Sequence, residues 1–222
     1  MRYSLTFIAL TCFSGVAHGY VADLTTDFTS NASNPDGVWT HGYFPTTAGV
    51  GFTAFSIPTS SSVGFGWEAP QSSSQLGTPG MWKNTSSSTQ FGVAPGEVSL
   101  HPGPSEIICS RFTVPNSWGT GTVSISATFG VGDFGEVEAL VLLNGLTAYS
   151  QVVTNTPQSY NVSSLAVGPG QTIEFAIANH NGYFSDNTPL TAHINFTPVP
   201  EPSSVLALSV GALALVRRRK SA

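Results

Sequence analysis

The residues with the most chemical potential lie close together late in the chain. Asn179-His180-Asn181-Gly182-Tyr183-Phe184-Ser185-Asp186 packs amides, an acid and two aromatic rings into eight positions. A ring offers an apolar face to the C–H side of a sugar, while amides and carboxylates exchange hydrogen bonds with its hydroxyls. Gly182 permits the tight turn such a loop needs. Asn179, Asn181, Tyr183 and Asp186 are therefore candidate ligand-binding residues, joined by Trp118 between Ser117 and Gly119. The same composition also suits a polar hairpin with one ring folded back on a core. Trp39, Tyr43, Phe44, Trp67 and Trp82 are expected in or next to loops, each a stronger candidate for the core than for contact.

Two loops carry oxygen donors of the kind calcium takes. Asn34-Pro35-Asp36-Gly37 with Asp27 is one; Asn179 to Asn187 with Asp186 is the other. If the first and last strands pair, Asp27, Asp36 and Asp186 are the candidate metal ligands, and calcium is the candidate cofactor. Asn-Pro-Asp-Gly is equally a good turn in its own right. His41, His101, His180 and His193 are scattered without zinc-type spacing.

Catalytic patterns are absent. There is no Gly-x-Ser-x-Gly elbow. Cys109 sits among apolar neighbours, where a thiol is inert. Glu136 and Glu138 share one face of a strand at about 7 Å, a spacing that surface strands often carry without chemistry. The chain reads as a non-enzyme.

Charge narrows the partners. Of seven basic residues, only Lys83 and Arg111 lie between residues 20 and 198, against eleven acids, a net −9 with His neutral. Such a surface repels phosphate backbones, so nucleic acid is excluded as a partner. With Cys12 in the leader, Cys109 remains alone and is expected buried, without a disulfide.

Both ends read as addresses. Arg2, the apolar stretch Leu5 to Phe13 and Ala17-His18-Gly19 make residues 1–19 a signal peptide cut after Gly19. At the other end, Pro200-Glu201-Pro202 precedes an apolar run at 205–216 and the cluster Arg217-Arg218-Arg219-Lys220. Twelve helical residues cover about 18 Å against about 30 Å of hydrocarbon, so the run is a weak, transient membrane anchor. The basic cluster would stay cytoplasmic. This three-part tail, residues 199–222, resembles the PEP-CTERM sorting signal. The resemblance implies an exosortase-type protease as partner, removal of the tail near its prolines, a cell-surface or matrix destination and a bacterium that makes exopolysaccharide.

Residues 20–198 read as one extracellular domain. Val123, Ile125, Ala127 and Phe129 alternate with polar residues, as do Ile173, Phe175 and Ile177, and Ala192, Ile194 and Phe196. Period two of this kind predicts half-buried antiparallel strands. Val137 to Leu143, Asn144-Gly145 and Leu146 to Val153 predict a hairpin. No stretch has a helical period. The expected fold is all-β, a single antiparallel sandwich of jelly-roll type, with the Ser-rich segment from Ser60 to Gln90 as a long loop or decorated edge. Leu100-His101-Pro102-Gly103, the strand end at 111–115, Val141-Leu142-Leu143-Asn144-Gly145, Asn181-Gly182 and Asp186-Asn187-Thr188 are together similar to carbohydrate-binding-module and galactose-binding-like jelly rolls. The resemblance covers roughly residues 24–197 and implies that fold. Three function classes follow: a non-catalytic polysaccharide-binding module, a structural coat or matrix protein without a small ligand, and, least favoured, a hydrolase.

Protein recovered from its native host should begin near Tyr20 and end near Pro200. Intact-mass measurement checks this, and a surface species retaining Met1 or Ala222 would contradict it.

Overall fold

The computed structural model describes residues 19–29, 33–70 and 79–199. The expected signal peptide and the sorting tail with its apolar run lie outside them, apart from Gly19 and Val199 at their borders. Among the described residues no helix is long and apolar enough to cross a membrane.

Fourteen strands form two antiparallel sheets among these residues. In the first, β12 (Gln158–Val167), β9 (Gly121–Phe129), β14 (Thr188–Pro198), β7 (Val98–His101), β6 (Gly80–Asn84), β5 (Gly64–Glu68) and β4 (Ile57–Ser60) follow in order. The first strand, β1 (Tyr20–Asp23), pairs with β14, so the first and last strands are neighbours as expected. The second sheet runs β11 (Leu146–Val153), β10 (Val137–Leu143), β13 (Thr172–Asn179), β8 (Ile107–Thr113), β2 (Trp39–Phe44) and β3 (Thr53–Ala54). From β7 onward the chain changes sheet at every connection except the β10–β11 hairpin, the jelly-roll pattern. Asn144 and Gly145 hold φ of 53° and 79°, the left-handed pair that a two-residue hairpin requires. The only α-helix among the described residues is one turn, α1 (Leu24–Asp27), capped by the Asp23 carboxylate.

Alternation puts Val123, Ile125 and Phe129 of β9, Leu190, Ile194 and Phe196 of β14, and Ile173, Phe175 and Ile177 of β13 into one core with Trp39 and Phe112. β10 is buried on both faces because residues 45–52 fold over the outside of the second sheet. Phe44, Ile107, Cys109, Leu140, Leu142 and Ala176 make a second apolar cluster there, with Phe52 packed against it. Cys109 is a buried free thiol, and burial pushes it well above the ordinary range.

The same face holds a buried ion pair. Glu174, 1% exposed, receives Arg111 Nε and Nη2 at 2.9 Å and the Gly145 backbone N–H at 3.1 Å. Phe52 lies 3.6 Å from the guanidinium and screens it from water.

Of the two expectations for Ser60 to Gln90 the long loop is corrected and the edge stands: β5 and β6 lie within it, next to the edge strand β4. Gly64, Gly66 and Gly80 stand where side chains would reveal the alternation, which hides these strands from a sequence reading. Trp39, Tyr43 and Phe44 belong to β2 and are buried, not set at loops.

Arg111→Met should cost about 3–5 kcal/mol, because Glu174 would be left buried and unpaired. The double variant Arg111→Met/Glu174→Leu should lose less than the single one. Urea denaturation of both reads the difference.

Candidate functional site

Where β4 to β7 run side by side, register sorts their residues onto two faces. Trp67, Met81, Val98 and Leu100 point into the core. Thr59, Gly66, Trp82 and Ser99 form a row on the opposite, outer face. A side chain on Gly64 or Gly66 would collide with the carbonyls of Lys83 or Met81 on β6. A Cβ on Gly64 would also come within 3.2 Å of the Trp82 ring. The glycines thus make a floor on which Trp82 lies.

Loops close over that floor and leave an open hollow of about 430 Å³. Trp82, Phe91 and Phe184 supply its rings; Glu68, Asp133 and Asn187 supply its polar groups. Phe91 meets Trp82 edge-on, with centroids 6.2 Å apart and planes at 82°. Phe91 is 60% exposed and Phe184 is 65% exposed. Phe184 stacks on Tyr183 at 4.4 Å. The Ser185 backbone at φ 63° turns the chain so that Phe184 faces out and Asp186 faces in.

Asn187 fixes the arrangement. Its Oδ1 accepts from Trp82 Nε1 at 2.9 Å and from Ser99 Oγ at 3.2 Å. Its backbone N–H and Nδ2 donate to the two oxygens of Asp133 at 3.0 and 3.2 Å. One side chain thereby ties the ring to the loop at 131–135.

Asp186 sits behind the hollow, 1% exposed, with neither carboxyl oxygen hydrogen-bonded. Burial, aided by the Asp133 charge, pushes it up to about 7. Burial lowers His101, against the pull of the Pro102 carbonyl and Asp133, so its imidazole is held neutral. Among the described residues no Lys or Arg lines the hollow. Such a lining stacks and hydrogen-bonds.

The structure divides the candidate ligand residues. Tyr183 backs Phe184 and is itself half-buried. Asn181 donates to Glu136, and Asn179 Nδ2 donates to the Gly103 carbonyl at 3.3 Å and to that of Pro104. Trp118 lies at the other end of β14, stacked on Tyr20 at 4.5 Å and packed on Phe196 at 5.2 Å. It is therefore half-buried, whereas Phe184 is the exposed ring.

The candidate metal ligands are divided too. Asp27 and Asp36 border a second hollow of about 390 Å³ beside Trp118. Asp27 Oδ2 accepts from Asp23 N–H and Trp39 Nε1, both at 3.0 Å; Asp36 Oδ2 accepts from Thr29 N–H at 2.9 Å. Asp23 stands opposite His193, five residues and about 17 Å into β14 from Thr188, whereas Asp186 precedes the strand. Among the described residues no group of three His, Cys, Asp or Glu is placed to hold a metal ion.

Sequence reasoning missed Phe91, Asp133, Glu68 and Asn187 as site residues and took Trp82 for a core candidate. The usable signal was the alternation Gly64-Phe65-Gly66-Trp67, which reads as a strand with one bare face.

Residues 198–220 match the PEP-CTERM protein-sorting motif, which marks an exported protein with a C-terminal sorting signal. No curated protein matches the chain in sequence. Several solved structures are similar in part. Pika GITRL aligns at TM-score 0.31 and 15% identity, over 41% of this chain and 75% of that one. The CBM36-1 domain of a multidomain xylanase, from the hindgut metagenome of Trinervitermes trinervoides, gives 0.31 and 16%, over 49% and 82%. CBM35 from Paenibacillus barcinonensis gives 0.29 and 14%, over 50% and 84%. Two of these three are carbohydrate-binding modules. TM-scores near 0.3 leave the chemistry of the hollow to its own residues.

The Asp186 carboxyl holds its proton to about pH 7 in the fold, while the unfolded chain ionises near 3.8. Its contribution to stability therefore falls as pH rises from about 4 to about 7 and is level above. His41, fully buried and lowered to about 4, contributes the opposite slope: stability is lost as pH falls from 6.5 towards 4. The two offset each other in the native chain. Asp186→Asn should leave Tm unchanged near pH 4 and raise it by several degrees at pH 8, as thermal melts across pH would show.

Proposed function

We propose that this chain is an exosortase-sorted surface or matrix protein whose sandwich holds a neutral polysaccharide in the hollow, without cleaving it. The observation that carries this reading is the Trp82 platform: a ring laid on a glycine floor, fixed by Asn187, with Phe91 and Phe184 exposed beside it. Sugars stack on such rings, and Glu68, Asn187 and nearby serines suit their hydroxyls. The open shape admits a segment of a long chain as readily as its end.

Electrostatics sets the polymer class. Glu68 and Asp133 line the hollow without a cation, so an anionic polysaccharide would be repelled. Exopolysaccharide of neutral composition is the partner this lining fits. The binding reading is preferred to hydrolysis because both Asp133 oxygens hold Asn187, which leaves Glu68 without a second free carboxylate in the lining. Calcium enters only as a variable of the experiment.

A glycan array run with and without calcium tests the proposal. Neutral glucans, mannans or xylans should be retained and polyuronates should not. Phe184→Ala should weaken retention by about tenfold or more, with Tm unchanged within a few degrees because the ring is exposed. If no glycan is retained by the native chain, or if Phe184→Ala binds as well, the reading fails. The structural coat or matrix protein without a small ligand then takes its place.

A further inference from the structure

The two sides of the sandwich end differently. On one side the sheet edges are β4, which contains Pro58, and the two-residue β3. Proline removes a ladder donor, and two residues offer almost no ladder to pair with. On the other side the edges are β11 and β12, eight and ten residues long and without proline. Tyr149 of β11 and Tyr160 of β12 meet at 5.4 Å and bring the two edges together as one flank. From Ala139 to Ile173, 35 residues that include both strands, there is no Asp, Glu, Lys, Arg or His. Edge strands are ordinarily protected by charge, proline, shortness or a bulge; this flank has only a register shift in each strand, between Tyr149 and Thr147 and between Val162 and Leu165, and none of the other three.

We propose that the β11–β12 flank docks a second copy of this chain, strand edge to strand edge across a twofold axis. Charge singles out that partner. The domain carries eleven acids against two bases between residues 20 and 198, so copies repel wherever acids face each other. The flank's own strands carry no charge, and the one acid in contact with them among the hydrogen bonds, Glu138 of β10, is capped by Ser150 of β11, so two copies can meet there with little like charge between them. An antiparallel strand is complementary to its own copy about a twofold axis, so the contact closes on itself. Register places the ladder: Gln158 to Val162 pair evenly with β9, and the pairing shifts between Val162 and Leu165. The axis therefore falls near Tyr160. Leu146, 76% exposed, and Val152, 39% exposed, add apolar surface from β11. This inference stands apart from the glycan reading, since the flank shares no residue with the hollow.

Sedimentation velocity of the full chain over a dilution series tests it. The native chain should be a dimer that dissociates on dilution and tightens as added salt screens the acids. Gln151→Lys/Asn161→Lys should weaken it by about tenfold or more, whereas Thr59→Lys on β4 should leave it unchanged. Far-UV circular dichroism confirms that the lysine variant is folded. Independently of any variant, amide hydrogen exchange at residues 158–162 should slow as native protein is concentrated. A native monomer at every concentration would overturn the proposal. So would a dimer indifferent to the lysines, as association through the tail would be, or exchange at 158–162 that ignores concentration.

Discussion

An eleven-residue strand hydrogen-bonded along both edges is the constraint on which this molecule is built. β14 pairs with β9 from Leu190 to Pro198 on one side. On the other it is shared by β7 at Thr188–Leu190 and β1 at His193–Phe196. Its inward residues are among the most buried in the core. A slip of one residue would turn that whole set outward, so the register is pinned. Because β7 leads to β6 and β5, the position of Trp82 is inherited from β14. Because Asn187 immediately precedes β14, the group that fixes Trp82 is inherited from it too.

The site spends stability that the core supplies. Asp186 is buried without a partner, Ser185 holds a left-handed backbone, and the β5 glycines forgo side-chain packing. Each has a counterpart at the surface of the hollow: Phe184 turned outward, Asn187 turned towards Trp82, and space for the indole ring. The buried Arg111–Glu174 pair lies on the opposite sheet and serves a different end, fixing the 45–52 segment over Cys109 and the second apolar cluster.

The strands that alternate cleanly, β9, β13 and β14, were legible because their polar face meets water and their apolar face meets the core. β10 was legible as a more apolar strand, since the run Ala139-Leu140-Val141-Leu142-Leu143 has no polar face, but nothing in its own residues says which distant segment covers it. β5 and β6 were hidden by glycines whose purpose is a neighbour's ring. For the 179–186 loop the sequence displayed the composition but not the geometry. Periodicity cannot tell that Ser185 reverses the chain, exchanging the expected exposure of Tyr183 and Asp186 for that of Phe184. Nor can it show that Asn187, one residue further, reaches a tryptophan 105 residues away in sequence.

β14 also decides how the molecule takes a load. Its Pro198 end sits beside Tyr20, where the chain enters, and continues into the sorting tail; its Thr188 end adjoins the hollow. The two ends are separated by about 33 Å of extended strand. A chain held at the Pro198 end of β14 would therefore present the hollow at the far end. Tension between the two runs along β14 and meets the ladders of β9, β1 and β7 in shear. Those hydrogen bonds must then give way together rather than unzip one by one, so the strand that aligns the hollow is also the tether best placed to resist being drawn out.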